Sequence, residues 1–171
     1  MDVYEAIQKR KSVRKYELTP VPKETLLKLL EAARIAPTAR NAQPWHFIVV
    51  TDAQKRKELS KGMFAKFVAD APAVVVACGD VKASADWYAV DVSLAVENLI
   101  LAATNEGLGT CCVGSFNEEH IKKTLGVPQR LSVVVMVTVG FPSGKQSLTS
   151  RVFGAIKKRK ELADIVSWEE F

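Results

Sequence analysis

Ala73-Val74-Val75-Val76-Ala77-Cys78-Gly79 holds no polar side chain. A short apolar run rich in β-branched valine predicts a strand buried on both faces. Working outward, Leu131–Gly140 predicts the longest strand, and Trp45–Thr51 predicts a third, entered from the proline-bounded loop Pro37-Thr38-Ala39-Arg40-Asn41-Ala42-Gln43-Pro44. Helical spacing puts Leu26, Leu27, Leu30 and Ala33 on a helix over Pro22–Arg34, with Pro22 suited to its first turn. Leu94, Leu99, Ile100 and Ala103, with small residues between them, mark a central helix over Asp91–Glu106 that Gly107 stops. Shorter helices are expected around Tyr4 and Ile7, over Ala53–Lys61 before Gly62, and after Asn117. That last residue can cap a first turn holding Glu118 and Glu119, with Gly126 and Pro128 at the far end. Helices and strands do not alternate one for one. The pattern therefore favours an α+β sandwich, with a mixed central sheet flanked by helices, over a doubly wound parallel sheet.

The 171 residues, 48% hydrophobic and 25% charged, suit a single globular domain over 1–171. No apolar run approaches the ~20 residues of a membrane-spanning helix, and the opening residues lack an apolar leader, so a cytoplasmic protein without membrane contact is expected. Cys78 lies in an apolar run and Cys111 adjoins Cys112, which fits neither a CxxC pair nor a spaced disulfide framework. Three reduced, mostly buried thiols are predicted. His46 and His120 are the two histidines, and no metal-type spacing is present, so no metal centre is expected. Gly107-Leu108-Gly109 through Gly114 follows a helix instead of a strand and fails as a dinucleotide fingerprint. Gly140-Phe141-Pro142-Ser143-Gly144-Lys145 follows a strand but is too short for a P-loop, and Gln146 separates Lys145 from Ser147.

The net charge of +5 is concentrated at Lys9, Arg10, Lys11, Arg14 and Lys15 and again at Lys157, Lys158, Arg159 and Lys160. Arg10-Lys11-Ser12-Val13-Arg14 gathers cationic and hydroxyl donors in the manner that suits a phosphate dianion. Taken alone, such a run is more often a solvated face. Nucleic acid is not an expected partner, because aromatic residues are not interleaved with the basic clusters.

Five collinear segments change that weighing. Arg10-Lys11-Ser12-Val13-Arg14-Lys15-Tyr16 resembles the "RRSxRxF" opening of the FMN-dependent nitroreductase family, and Ala36-Pro37-Thr38-Ala39-Arg40-Asn41-Ala42-Gln43-Pro44-Trp45 resembles its "APSxxNxQPW". Asp91 through Gly107-Leu108-Gly109-Thr110-Cys111-Cys112-Val113-Gly114 is similar to "D…LAA…GLGTCWIG", Gly140-Phe141-Pro142 to "GYP", and Lys157-Lys158-Arg159-Lys160 to the C-terminal "KxR". The resemblance implies an interlocked homodimer with a flavin site at each side of the interface and residues 142–171 as a dimer arm. Arg10, Lys11, Ser12 and Arg14, joined by Lys157 and Arg159, would hold the phosphate and ribityl end of FMN. Pro37, Thr38, Ala39 and Asn41 would approach from the partner subunit, and Val113 and Gly114 would offer backbone groups near the ring. Trp45 is expected in the core.

Two positions depart from the family pattern. Cys112 stands where the motif has tryptophan, and Phe64-Ala65-Lys66-Phe67 stands where larger relatives have an Asn and a Lys near the pyrimidine edge, which leaves Lys66 as the substitute. The short chain implies an open site without the helices that cover it in longer members. The implied activity is ping-pong hydride transfer from NADH or NADPH through FMN to a nitroaromatic or quinone-type acceptor, with no side chain as acid or base. The alternatives are a specialised flavoenzyme of the same family, by reductive dehalogenation or flavin-consuming chemistry, and a non-catalytic flavin-binding protein.

Overall fold

Strand β2 (Ala73–Asp80) is an inner strand of a four-stranded sheet in the computed structural model, which describes residues 1–62, 64–144 and 159–171. Beside it lie β1 (Trp45–Val50) and β4 (Leu131–Gly140), and β3 (Gly109–Val113) completes the order β1-β2-β4-β3. The expected mixed sheet is corrected here, since all three strand pairings are antiparallel. Among the described residues, parallel pairing is confined to the isolated bridge between Ser12 and Thr110. The reason is topological. The chain does cross between two like-directed strands, β2 and β3, but β4 inserts between them and makes both contacts antiparallel. The expectations at Lys145, Ser147, Lys157 and Lys158, and over 145–158 of the 142–171 arm, lie outside the described residues.

Five helices surround the sheet among the described residues: α1 (Val3–Lys9), α2 (Lys23–Arg34), α3 (Ala53–Leu59), α4 (Tyr88–Asn105) and α5 (Glu118–Leu125). Alternation along β2 divides the core between its two faces. Ala73, Val75 and Ala77 pack with Leu26, Leu29 and Ala33 of α2 and Val92, Ala95, Leu99 and Ala103 of α4. Val74, Val76 and Cys78 pack on the other face with Leu59 of α3, Ile121 of α5 and Val68. A register shift at Ala77/Cys78 gives β4 one extra residue, so Val133 and Met136, three apart, can both join the second core. Trp45 is half-buried against the first core. None of the helices among the described residues is long and apolar enough to cross a membrane.

The local signals mostly do what the sequence predicts. Asn117 accepts the His120 N–H at 2.9 Å and caps α5, which Gly126 ends at φ +69°. The N-terminal boundary of α4 extends back to Tyr88, one turn before Asp91. In α2 the buried row is Leu26, Leu29 and Ala33, with Leu30 half-buried, while Leu27 turns outward and is 54% exposed, so the expected apolar row is corrected at Leu27, whose place in the core Leu29 takes. Leu94 of α4 is likewise exposed.

Leu99 is wholly buried between α2 and the sheet. Leu99→Ala leaves a cavity there and should lower unfolding stability by about 2–5 kcal/mol, measured by urea denaturation, because the surrounding layers relax only in part.

Candidate functional site

The basic segment leaves α1 at Arg10, whose own N–H closes the helix on the Ala6 carbonyl. It then runs beside β3, the edge strand. Ser12 pairs with Thr110, and the Val13 N–H donates to the Thr110 carbonyl at 2.8 Å. Farther on, Tyr16 pairs with Pro142 and the Glu17 N–H donates to the Phe141 carbonyl at 2.9 Å. Close approach requires glycine at 109, because a Cβ there would lie 2.6 Å from Val13 Cγ2. The segment is thus laid along the end of β3 and the exit of β4.

Two of its cations, Arg14 and Arg10, act on Cys111. Burial raises the Cys111 thiol, against which the Arg14 guanidinium foremost, then the Ser12 hydroxyl and Arg10, act to lower it. Burial also raises Cys112, with Cys111 and Glu97 adding and Arg10 opposing, and pushes Cys78 up to about 11. All three cysteines are free, and a thiol held protonated is a poor nucleophile. Cys112 is exposed while the other two are buried. The Arg14 guanidinium sits 5.7 Å from the centre of the Phe67 ring, an arrangement that suits a cation–π contact. Phe67 belongs to the short 3-10 turn Lys66–Val68, so the exposed Lys66 enters the same neighbourhood. Among the described residues, none of the ion pairs engages Arg10, Lys11, Arg14 or Lys66. The cluster is positive and unneutralised, which is the donor set an anionic phosphate group requires. At the other end of β3, Val113 is buried and Gly114 has open space where a side chain would stand.

The loop holding Pro37, Thr38, Ala39 and Asn41 is built differently. Arg40, Asn41 and Gln43 have φ of 53°, 54° and 47°, in the left-handed region. Thr38 Oγ1 accepts the Gln43 N–H at 3.2 Å, and Asp91 Oδ1 accepts the Ala39 N–H at 3.1 Å. Asp91 is 2% exposed, and its Oδ2 takes the Ser84 hydroxyl at 3.2 Å. The sequence placed Asp91 at the head of a motif but did not show that it ties down the loop. An acidic residue in the first turn of a long helix was the available signal.

The two groups do not meet within one chain. Thr38 to Asn41 are pinned to the start of α4, whereas Ser12 and Val13 lie by Thr110, beyond its end. α4 has 18 residues and so spans about 27 Å. The sheet adds to this separation, because Trp45 opens edge strand β1 and Thr110 lies in the opposite edge strand β3. Arg159 is exposed, and Lys157 falls outside the described residues.

Asp91→Ala strands the Ala39 N–H and the Ser84 hydroxyl. It should cost about 1–3 kcal/mol in unfolding stability and should speed trypsin cleavage after Arg40, followed by mass spectrometry of the limited digest.

Comparison with known proteins agrees with this geometry. A family model described as the nitroreductase family matches residues 7–68 and 60–141. The chain is 36% identical over 148 residues to a protein of Archaeoglobus fulgidus that bears the provisional name NADH dehydrogenase/NAD(P)H nitroreductase, a match covering 82% of this chain and 85% of that one. A nitroreductase family protein of Clostridium difficile 630 has the same fold, with a TM-score of 0.86, 31% identity and complete coverage of both chains. An FMN-dependent nitroreductase of Clostridium difficile R20291 superposes with a TM-score of 0.81 at 28% identity, covering 97% of this chain and 98% of that one. A chain that the family model matches over most of its length, and that shares its fold and about a third of its residues with these proteins, belongs to the nitroreductase family of oxidoreductases.

Proposed function

We propose that this chain is an FMN-dependent NAD(P)H oxidoreductase that works as a homodimer, passing hydride in a ping-pong cycle to a nitroaromatic or quinone-type acceptor. The observation that carries the reading is the unneutralised cluster of Arg10, Lys11, Ser12 and Arg14 laid along β3. When bound, FMN supplies the hydride chemistry itself, which is the usual division of labour in flavoenzymes.

The side chains then have separate tasks. Arg10, Lys11, Ser12 and Arg14 hold the phosphate by charge-assisted hydrogen bonds, and Lys157 and Arg159 join them. Lys66 or Arg14 favours negative charge on the reduced cofactor electrostatically. Backbone groups of Val113 and Gly114 orient the ring, and the absence of a side chain at Gly114 leaves room for it. Pro37, Thr38, Ala39 and Asn41 complete the site from the partner subunit, since roughly the length of α4 separates them from the basic cluster of their own chain.

Two further observations support the homodimer and the arm over 142–171. Every residue from Arg159 to Phe171 is exposed, with Trp168 at 85%, so this stretch adds nothing to the core of its own chain. Tyr4 and Ile7 of α1 and Val90 and Leu94 of α4 also expose apolar side chains. Such area is what an interface between subunits covers.

Charge removal in Arg10→Gln/Arg14→Gln should leave a folded protein that binds FMN at least ~100-fold more weakly, given roughly 1.5–3 kcal/mol for each charge-assisted bond. Flavin content by absorbance after desalting is the measurement. Truncation after Ser150 should remove dimer and flavin together, read by size-exclusion chromatography and absorbance. A truncated protein that stays dimeric and flavin-loaded would rule the arm out.

A further inference from the structure

Arg56 of α3 is half-buried and directs its guanidinium at main-chain carbonyls. Its Nη1 donates to the Ala69 carbonyl at 2.8 Å and to the Ala71 carbonyl, and its Nε donates to the Thr51 carbonyl at 3.3 Å. None of the ion pairs among the described residues engages it. A planar fork of donors set on three carbonyls is a clamp that lysine, a single point charge on a flexible stem, does not reproduce.

The clamp acts on the turn that carries Lys66. Ala69 links the two, because its N–H donates to the Lys66 carbonyl at 3.3 Å while its own carbonyl is held by Arg56. Upstream, the Val68 N–H donates to the Ala65 carbonyl at 2.9 Å and the Ala65 N–H to the Gly62 carbonyl at 3.2 Å. Gly62 packs so close to the Ser115 carbonyl, just past β3, that no Cβ would fit there. The turn is thus held at one end against the exit of β3 and at the other by α3. Ala65 and Val68 are wholly buried, which leaves Lys66 and the 75% exposed Phe64 pointing outward. Phe64 has a φ of 64°, an outlier for a bulky residue that persists only where the surroundings over-determine it. Those surroundings are the two clamps. Phe67 of the same turn lies 5.7 Å from the Arg14 guanidinium, so the place that Arg56 fixes is beside the basic segment.

We propose that Arg56 is a positioning residue that sets the backbone from which Lys66 reaches the flavin ring, an inference that rests on the FMN reading above with Lys66 as the cation. A cation held there favours the reduced, negatively charged cofactor over the oxidised one. The test therefore reads the ratio of the two affinities from the midpoint potential of bound FMN. Holoenzymes of the wild type, Lys66→Gln, Arg56→Lys, Arg56→Gln and the double variant Arg56→Lys/Lys66→Gln are titrated spectrally against a reference dye, with folding checked by circular dichroism. Lys66→Gln should lower the ratio of reduced to oxidised affinity about 3- to 10-fold, the weight of one unit charge a few ångströms away in a partly solvated site. Either Arg56 variant should lower it at least ~2-fold with Lys66 intact, and the double variant no further than Lys66→Gln alone, since residues acting through one another do not add. Wild-type potentials in both Arg56 variants, or losses that add in the double variant, would overturn the role of Arg56 and leave it a contact that stabilises the fold. An unchanged potential in Lys66→Gln would overturn Lys66 as the cation, and this inference with it. A wild type that retains no FMN would instead overturn the FMN reading itself.

Discussion

A strand with no exposed face dictates the layers around it. β2 is buried from Ala73 to Gly79, so its odd and even side chains each require a separate cover. α2 and α4 supply one and α3 and α5 the other. Neighbouring β4 must serve the same two layers, and the extra residue opposite Ala77/Cys78 keeps Val133 and Met136 on the side of α5. Apolar burial is proportional to area and indifferent to direction. The pleat of β2 converts that undirected force into two defined cores.

The route of the chain around β2 then determines where functional groups can stand. α4 returns the chain along the first core, from the end where Pro44 leads into β1 to the end where β3 begins. A polar loop anchored at its start and a basic segment anchored past its end are held apart by a rigid rod. Antiparallel pairing of β4 with both β2 and β3 keeps the sheet equally rigid between them. In the proposed homodimer a two-fold axis would bring each loop to the other copy's basic segment, which a single copy cannot do without breaking α4. Symmetric pairing of this kind is the usual form of soluble oligomers.

Much of this was legible in the sequence, for physical reasons that differ by element. β2 and β4 declare themselves through valine-rich runs, and α5 through the Asn117 cap and Gly126 stop. β3 was read as a motif and not as a strand. Gly109-Thr110-Cys111-Cys112-Val113 has no apolar alternation, and its extended form comes from pairing with β4. Leu27 was misassigned because its spacing satisfies a helix without showing which side meets the sheet. In the site, Arg10 to Arg14 stood out as charge pattern and family signature together. Asp91 and Tyr16 did not, because each acts on a backbone group. The amide that Asp91 holds lies 52 residues away, and the hydroxyl that steadies Tyr16 lies 122 residues away. Local pattern carries no trace of such partners.

The segment that gathers the cations also shields an edge. β3 ends the sheet, and an uncovered edge strand offers unpaired backbone groups to other chains. Ser12 and Val13 cover part of that edge, and the same docking brings Arg10 and Arg14 to it, where none of the ion pairs among the described residues engages either. An anion bound to the cluster would strengthen the docking, since any ligand that binds the folded state alone adds stability that grows with the logarithm of its concentration relative to its dissociation constant. Under the proposed function, edge protection and cofactor capture would be one interaction in this fold. The hydroxyl of Tyr16 on the Val13 carbonyl, Thr138 beneath it and the missing side chains at Gly109 and Gly140 are the features that let the segment lie close enough for both.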